Sequence, residues 1–165
     1  MKEIAFDLET TGLDPFKDRI TAIGMVASDN ENIVITDKDE KNILKFFWNY
    51  LNECGDFKLI GFNNADFDNV FLNIRSIKHN VEMINLKYKT VDLRLIAFNG
   101  WKYKKGKLEQ FSELIGYTPK YNGWSGKQIP LLWKHNDLDD LKNYILQDAL
   151  MTWFLYQRLK DVGLL

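Results

Sequence analysis

Glu3-Ile4-Ala5-Phe6-Asp7-Leu8-Glu9-Thr10-Thr11-Gly12 is the stretch from which the rest of the chain can be read. Residues 3–7 look like a β-strand, and Thr11-Gly12-Leu13-Asp14-Pro15 is rich in turn formers. Asp7 and Glu9 fall at the end of that strand. Side chains two apart on a strand share a face, so the two carboxylates converge. With no basic residue between them they repel, and a divalent cation would relieve the repulsion. Taken alone, Asp-Leu-Glu reads as two solvated acids at a strand end.

Working outward, residues 19–27 and 32–36 alternate and carry β-branched residues, which predicts a hairpin. Residues 39–53 show helical periodicity with Asp39 as cap. Residues 58–62 are a short buried strand, 66–79 a helix and 88–92 another strand. From about residue 107 the pattern is helical and ends in a long helix over about 138–160. Three strands, then helix, strand, helix and strand, then helices, predict an α/β fold whose mixed sheet is covered by helices. Helical crossovers would set strands 58–62 and 88–92 parallel to the first. There are no repeats, low-complexity tracts or linkers, so residues 1–165 read as one domain.

Two further acids stand at informative places. Gly61-Phe62-Asn63-Asn64-Ala65-Asp66-Phe67-Asp68 carries a buried strand into a helix start. An acid there is often only a cap, but parallel strands end at one sheet edge, where open α/β folds place their sites. In the last helix Tyr144 and Asp148 are four apart and share a side, with Leu141, Ile145, Leu155 and Leu159 supplying the apolar face. By itself that pair reads as a surface acid beside a half-buried tyrosine.

Together, Phe6-Asp7-Leu8-Glu9-Thr10-Thr11-Gly12, Asn63/Asn64 with Phe67-Asp68, and Tyr144-x-x-x-Asp148 resemble the three motifs of the DEDD superfamily of 3′-to-5′ exonucleases. The resemblance spans almost the whole chain. One branch of that superfamily has His five residues before the final Asp; here Asn143 stands there. The other has Tyr four residues before it, matched by Tyr144. The chain therefore resembles the Tyr (DEDDy) branch, and within it the proofreading domain of family B DNA polymerases and its stand-alone relatives. Thr90-Val91-Asp92-Leu93 and Ser125-Gly126-Lys127-Gln128-Ile129-Pro130 add to that likeness. The sequence ends soon after the third motif, so a nuclease without a polymerase domain is expected.

The resemblance implies a ribonuclease H-like fold. It also implies two divalent cations, Mg²⁺ or Mn²⁺, held by Asp7, Glu9, Asp68 and Asp148, an oxygen-only set unlike that of zinc. Tyr144 would orient the attacking water in a two-metal hydrolysis. Leu8 and Thr10 would meet the terminal nucleotide, and Asn63 or Asn64 would contact substrate or orient the second motif. Phe67 reads equally as core packing or as support for a base. Lys127 reads equally as a phosphate contact or a surface lysine. Asp92 is expected to be a cap, and His79 and His135 to be surface or helix-end residues.

Hydrophobic residues make up 45% of the 165 and charged residues 27%, with a net charge of −1, which excludes a disordered chain. Near-neutral charge is unusual for a nucleic-acid binder, but a metal-binding acid cluster offsets lysines elsewhere. The densest basic stretch, Trp101-Lys102-Tyr103-Lys104-Lys105-Gly106-Lys107, suits single-strand binding or a solvated loop. Cys54 alone makes no intrachain disulfide and reads as a small buried thiol near a helix end. With no signal pattern and no apolar run near the roughly 18 residues of a membrane span, a cytoplasmic protein is expected. The expected substrate is the single-stranded 3′ end of DNA, with RNA as the alternative. Other readings are a non-catalytic binding module and a proofreading subunit for a separate polymerase, with Phe46, Phe47, Trp48 and Tyr50 as its surface.

Overall fold

The computed structural model describes residues 1–100, 106–121 and 123–165. Strands β1 (Lys2–Thr10), β2 (Ile20–Ala27) and β3 (Asn32–Thr36) run antiparallel, and β4 (Phe57–Gly61) and β5 (Thr90–Asp92) add in parallel beyond β1. The order is β3-β2-β1-β4-β5. Helix α1 (Glu40–Cys54) links β3 to β4, and α2 (Asp68–His79) links β4 to β5. The helices α3 (Leu93–Ala97), α4 (Leu108–Leu114), α5 (Ile129–His135) and α6 (Leu138–Asp161) follow, with a 3₁₀ turn at Gly126–Gln128 before α5. The sheet is mixed and the architecture α/β, as the order of elements predicts.

The strand period of two divides β1 between two layers. Ile4, Phe6 and Leu8 face α1 and α2, where they pack with Leu44, Phe47, Leu51, Phe71 and Leu72. Ala5 faces the other way and packs with Val26 and Ala149 of α6. Asp7 and Glu9 follow Ala5 on that face. β2 is buried along its whole length because both layers cover it. Its glycine, Gly24, lies opposite Asp7. A Cβ at Gly24 would stand 2.6 Å from the carbonyl oxygen of Ile145, so α6 approaches the sheet backbone to backbone.

α1 carries Ile43, Leu44, Phe47, Trp48 and Leu51 at helical spacing, all buried, and Asp39 caps it by accepting from Lys41 N at 3.0 Å. Phe47 and Trp48 therefore belong to the core, and Tyr50 packs against it; Phe46 is the exposed aromatic of that helix. Cys54 is half-buried against the same cluster.

Several boundaries differ from expectation: β5 starts at Thr90 and not at 88, and two others bear on the site. β1 runs on to Thr10 because β2 pairs with it that far, with a register shift between Glu9 and Thr10. α2 begins at Asp68 and not near 66, because Asn63 takes a left-handed turn (φ 62°) and residues 63–66 close a tight turn first. His79 does end α2, but it is not a surface residue. Its Nε2 lies 2.7 Å from Glu40 Oε2, because Glu40 is buried and requires partners. Residues 101–105 of the basic stretch lie outside the described residues. Among the described residues, no helix is long and apolar enough to cross a membrane.

Candidate active site

Asp7 and Glu9 extend from β1 toward the middle of α6, where Asp148 stands. One carboxylate oxygen from each of the three lies within 4.8 Å of the others. Small cross-strand partners make the room: Gly24 opposite Asp7 and Ala22 opposite Glu9. Asp68, the first residue of α2, arrives from the opposite side of β1. β4 pairs with β1 only as far as Ala5, which frees the edge of β1 beyond it. Asp68 Oδ1 takes the Leu8 N–H from that edge at 3.2 Å. Strand extension past its parallel neighbour thus creates the donor that holds the fourth acid.

Burial and mutual repulsion govern the charges. Burial lifts Asp7 well above the usual carboxylate range, and the charges of Asp68, Asp148 and Glu9 lift it further. Glu9 is raised by burial and then by Asp148 and Asp68. Asp68 is pushed up to about 7 by burial, with its own N–H and that of Leu8 acting against it. Asp148 is pushed up to about 7, again by burial, with a Tyr121 hydrogen bond opposing. Among the described residues, no cation pairs with these acids in the way Arg75 compensates Glu40.

Tyr144 lies one helical turn before Asp148 and is 5% exposed. Burial, then the charges of Asp148 and Glu9, drive its phenol far above the ordinary value, so it stays protonated at neutral pH. Gly126 sits beside it, and a Cβ there would come within 3.3 Å of the hydroxyl. Lys127 follows in the same 3₁₀ turn and is exposed.

The remaining sequence-predicted residues are placed as follows. The Leu8 side chain is buried in the α1/α2 layer, on the face of β1 opposite Asp7 and Glu9. Thr10 is buried and donates to Gly12 O at 2.6 Å. Phe67 is half-buried, packs on the core and tilts against Phe71 at 4.9 Å. The Asn63 Oδ1 accepts from Arg94 at 2.6 Å. Asn64 is fully buried, and among the described residues neither of its amide atoms has a partner. Asp92 is the cap expected of it: it accepts from Arg94 N and Leu95 N and also from Asn63 N and Ala65 N, so it fastens the second motif to α3.

Two participants were not legible. Tyr121 donates to Asp148 Oδ1 at 2.5 Å and stacks on Tyr144 with centroids 4.6 Å apart. It sits in an irregular stretch where no period marks it. Arg94 is two residues past a cap and gives no motif of its own.

A mixed sheet of this order, with acids on its central strand facing a C-terminal helix, is a ribonuclease H-like architecture. The family profile described as RNase_H superfamily matches residues 4–160, and the chain belongs to that superfamily. A protein of Methanocaldococcus jannaschii, named only as uncharacterized, is 36% identical over 176 residues, covering 100% of this chain and 99% of the relative. A DNA polymerase of Archaeoglobus fulgidus is 26% identical over 179 residues, covering 96% of this chain and 23% of the polymerase. The solved structure of a family B DNA polymerase from Pyrobaculum calidifontis superposes with a TM-score of 0.84 at 19% identity, covering 99% of this chain and 25% of the polymerase. The chain thus spans about a quarter of each polymerase it resembles and nearly all of the M. jannaschii protein.

Proposed function

We propose that this protein is a metal-dependent 3′-to-5′ exonuclease of the DEDDy branch that removes nucleoside 5′-monophosphates from single-stranded 3′ ends of DNA. The observation that carries the reading is the convergence of Asp7, Glu9 and Asp148 from a strand and a helix, with Tyr144 one turn before the last acid. The likeness to family B polymerases supports DNA as substrate, and proofreading or repair as the setting.

The four carboxylates fit hard divalent cations: they offer only oxygen, they repel one another, and among the described residues no cation pairs with them. Mg²⁺ or Mn²⁺ held by Asp7, Glu9, Asp68 and Asp148 would supply the charge that acidifies a water and steadies the departing 3′-oxygen. The protein's own residues do the positioning. Tyr144, protonated at neutral pH, orients the attacking water by donating to it. Asp68 is itself held by the backbone of Leu8, so β1 sets both the first two acids and the fourth. Asn63, fixed by Asp92 and Arg94, shapes the rim of the second motif, with Asn64 and Phe67 packed beneath it. Thr10 aligns the terminal nucleotide, Leu8 serves through the N–H that holds Asp68, and Lys127 meets a phosphate from the exposed turn.

The test uses DNA and RNA single strands labelled at the 5′ end, with free or blocked 3′ ends, in Mg²⁺, Mn²⁺ or EDTA. An Asp7→Ala variant runs beside the wild type. A ladder shortening from free 3′ ends, only with metal and only in the wild type, is expected, and faster on DNA. Faster loss of RNA would make the protein an exoribonuclease of the same mechanism. A folded protein that shortens nothing would leave a binding module or a subunit for a separate polymerase.

A further inference from the structure

The stretch before α5 lies along one stripe of α6. Asp140, Asn143, Tyr144, Gln147, Asp148 and Met151 recur at steps of three and four along α6 and share that stripe. Tyr117 and the Lys120 N–H both donate to Gln147 Oε1, at 3.0 and 3.1 Å. Asn143 Nδ2 donates to Lys120 O at 2.7 Å, and Trp124 Nε1 to Asp140 Oδ2 at 2.6 Å. These four bonds fasten the stretch to residues outside the acid cluster. The Tyr121 hydroxyl is different in kind: it goes to Asp148 at 2.5 Å, with Met151 Sδ at 3.5 Å as a more distant second acceptor, while the Tyr121 ring stacks on Tyr144 at an interplanar angle of 23°.

We infer that Tyr121 is a positioning residue for the catalytic centre, setting the rotation of the Asp148 carboxylate and the plane of Tyr144 together; this rests on the exonuclease reading. A carboxylate turns easily about its last torsion, whose preference is broad. A donor fixed on one oxygen stops that rotation and leaves the other oxygen at a defined angle to Asp7 and Glu9. Partners of this kind, one step behind a metal ligand, commonly set its affinity. The stacked ring does the same for Tyr144, whose hydroxyl lies on the Gly126 side, where a Cβ would stand 3.3 Å from it. One residue thereby couples the last acid to the water-orienting tyrosine, from 27 positions upstream.

The experiment compares wild type, Tyr121→Phe and Tyr117→Phe. Phenylalanine at 121 keeps the stack and removes the hydroxyl, and Tyr117 is a hydroxyl of the same stretch that bonds Gln147. Mn²⁺ affinity is read by calorimetry, kcat and KM on 5′-labelled single-stranded DNA, and Tm by thermal unfolding. For Tyr121→Phe, about tenfold weaker Mn²⁺ binding and about tenfold lower kcat are expected, with KM and Tm nearly unchanged. Tyr117→Phe is expected to bind Mn²⁺ as the wild type does. Wild-type affinity and kcat in Tyr121→Phe would overturn the inference, as would equal losses in both variants that track Tm. A wild type that binds Mn²⁺ but degrades nothing would sink the exonuclease reading alone, since the affinities still decide the role of Tyr121. A wild type that binds no Mn²⁺ would sink both.

Discussion

The two faces of the sheet bury charge in opposite ways. On the α1/α2 face Glu40 is 2% exposed and fully answered: Arg75 reaches both its oxygens, Ile20 N–H donates at 2.7 Å and His79 lies beside it. Burial alone would raise Glu40, but those partners outweigh it and hold it below the usual glutamate value. On the α6 face Asp7, Glu9 and Asp148 are brought together with no cation among the described residues to answer them, and each is raised. Charge that is compensated within the chain holds elements together. Charge left uncompensated costs stability and is retained for a ligand.

Substitutions should split along the same line. Asp7→Asn is expected to abolish exonuclease activity, by at least about 10³-fold or ~4 kcal/mol in the barrier. In metal-free buffer it should also raise Tm, because it removes repulsion. Gel assays and thermal melts check both halves, and a fall in Tm would break the contrast. Arg75→Met should do the reverse. It leaves Glu40 buried without its guanidinium, with only the Ile20 N–H and His79 beside it, a loss of about 3–5 kcal/mol by urea titration. Metal affinity measured on the fraction still folded should hardly change.

The pH dependence should also carry opposite signs. The acids of the cluster have folded pKa values above their unfolded ones, about 7 for Asp68 and Asp148. Their contribution is present at low pH and lost as pH rises through about 7. Metal-free protein should therefore melt lower at pH 8 than at pH 6, and Mn²⁺ should raise Tm by more at pH 8. Glu40 has a folded pKa below its unfolded one. Its contribution is present above the unfolded value and lost as pH falls through the folded one, a second decline that Arg75→Met should remove. Equal Mn²⁺ shifts at both pH values would contradict the first sign, and acid melting unchanged by Arg75→Met the second.

The smallest expected effect tests the spacing. Gly24→Ala should cost about 1–3 kcal/mol, because the new methyl meets the Ile145 carbonyl as well as its Cγ1, and the carbonyl cannot turn aside. Its activity loss should exceed what the stability loss explains, since α6 carries Asp148.

Much of this was legible because it is periodic or local. Asp7 and Glu9 share a face by strand alternation, Tyr144 and Asp148 by helix spacing, and Asp39 and Asp92 announce themselves as caps. The pairing of Glu40 with Arg75 was not legible, because the two are 35 positions apart and either alone resembles a surface residue. Tyr121 was hidden for the same reason, in a stretch with no period to place it. The side chain of Leu8 shows the converse. Its neighbours Asp7 and Glu9 point toward α6, so alternation alone sends Leu8 to the other layer, whereas the motif read as a string suggested a nucleotide contact.

Gly24 has one more consequence. Where β2 and α6 meet, the gap is set by main-chain atoms, and main chain has no rotamers to search. The separation of the two halves of the acid cluster is then a fixed dimension of the scaffold and not an average over side-chain states. Anyone grafting this chemistry onto another strand and helix would have to copy the acids and the tyrosine. They would also have to copy the missing methyl group.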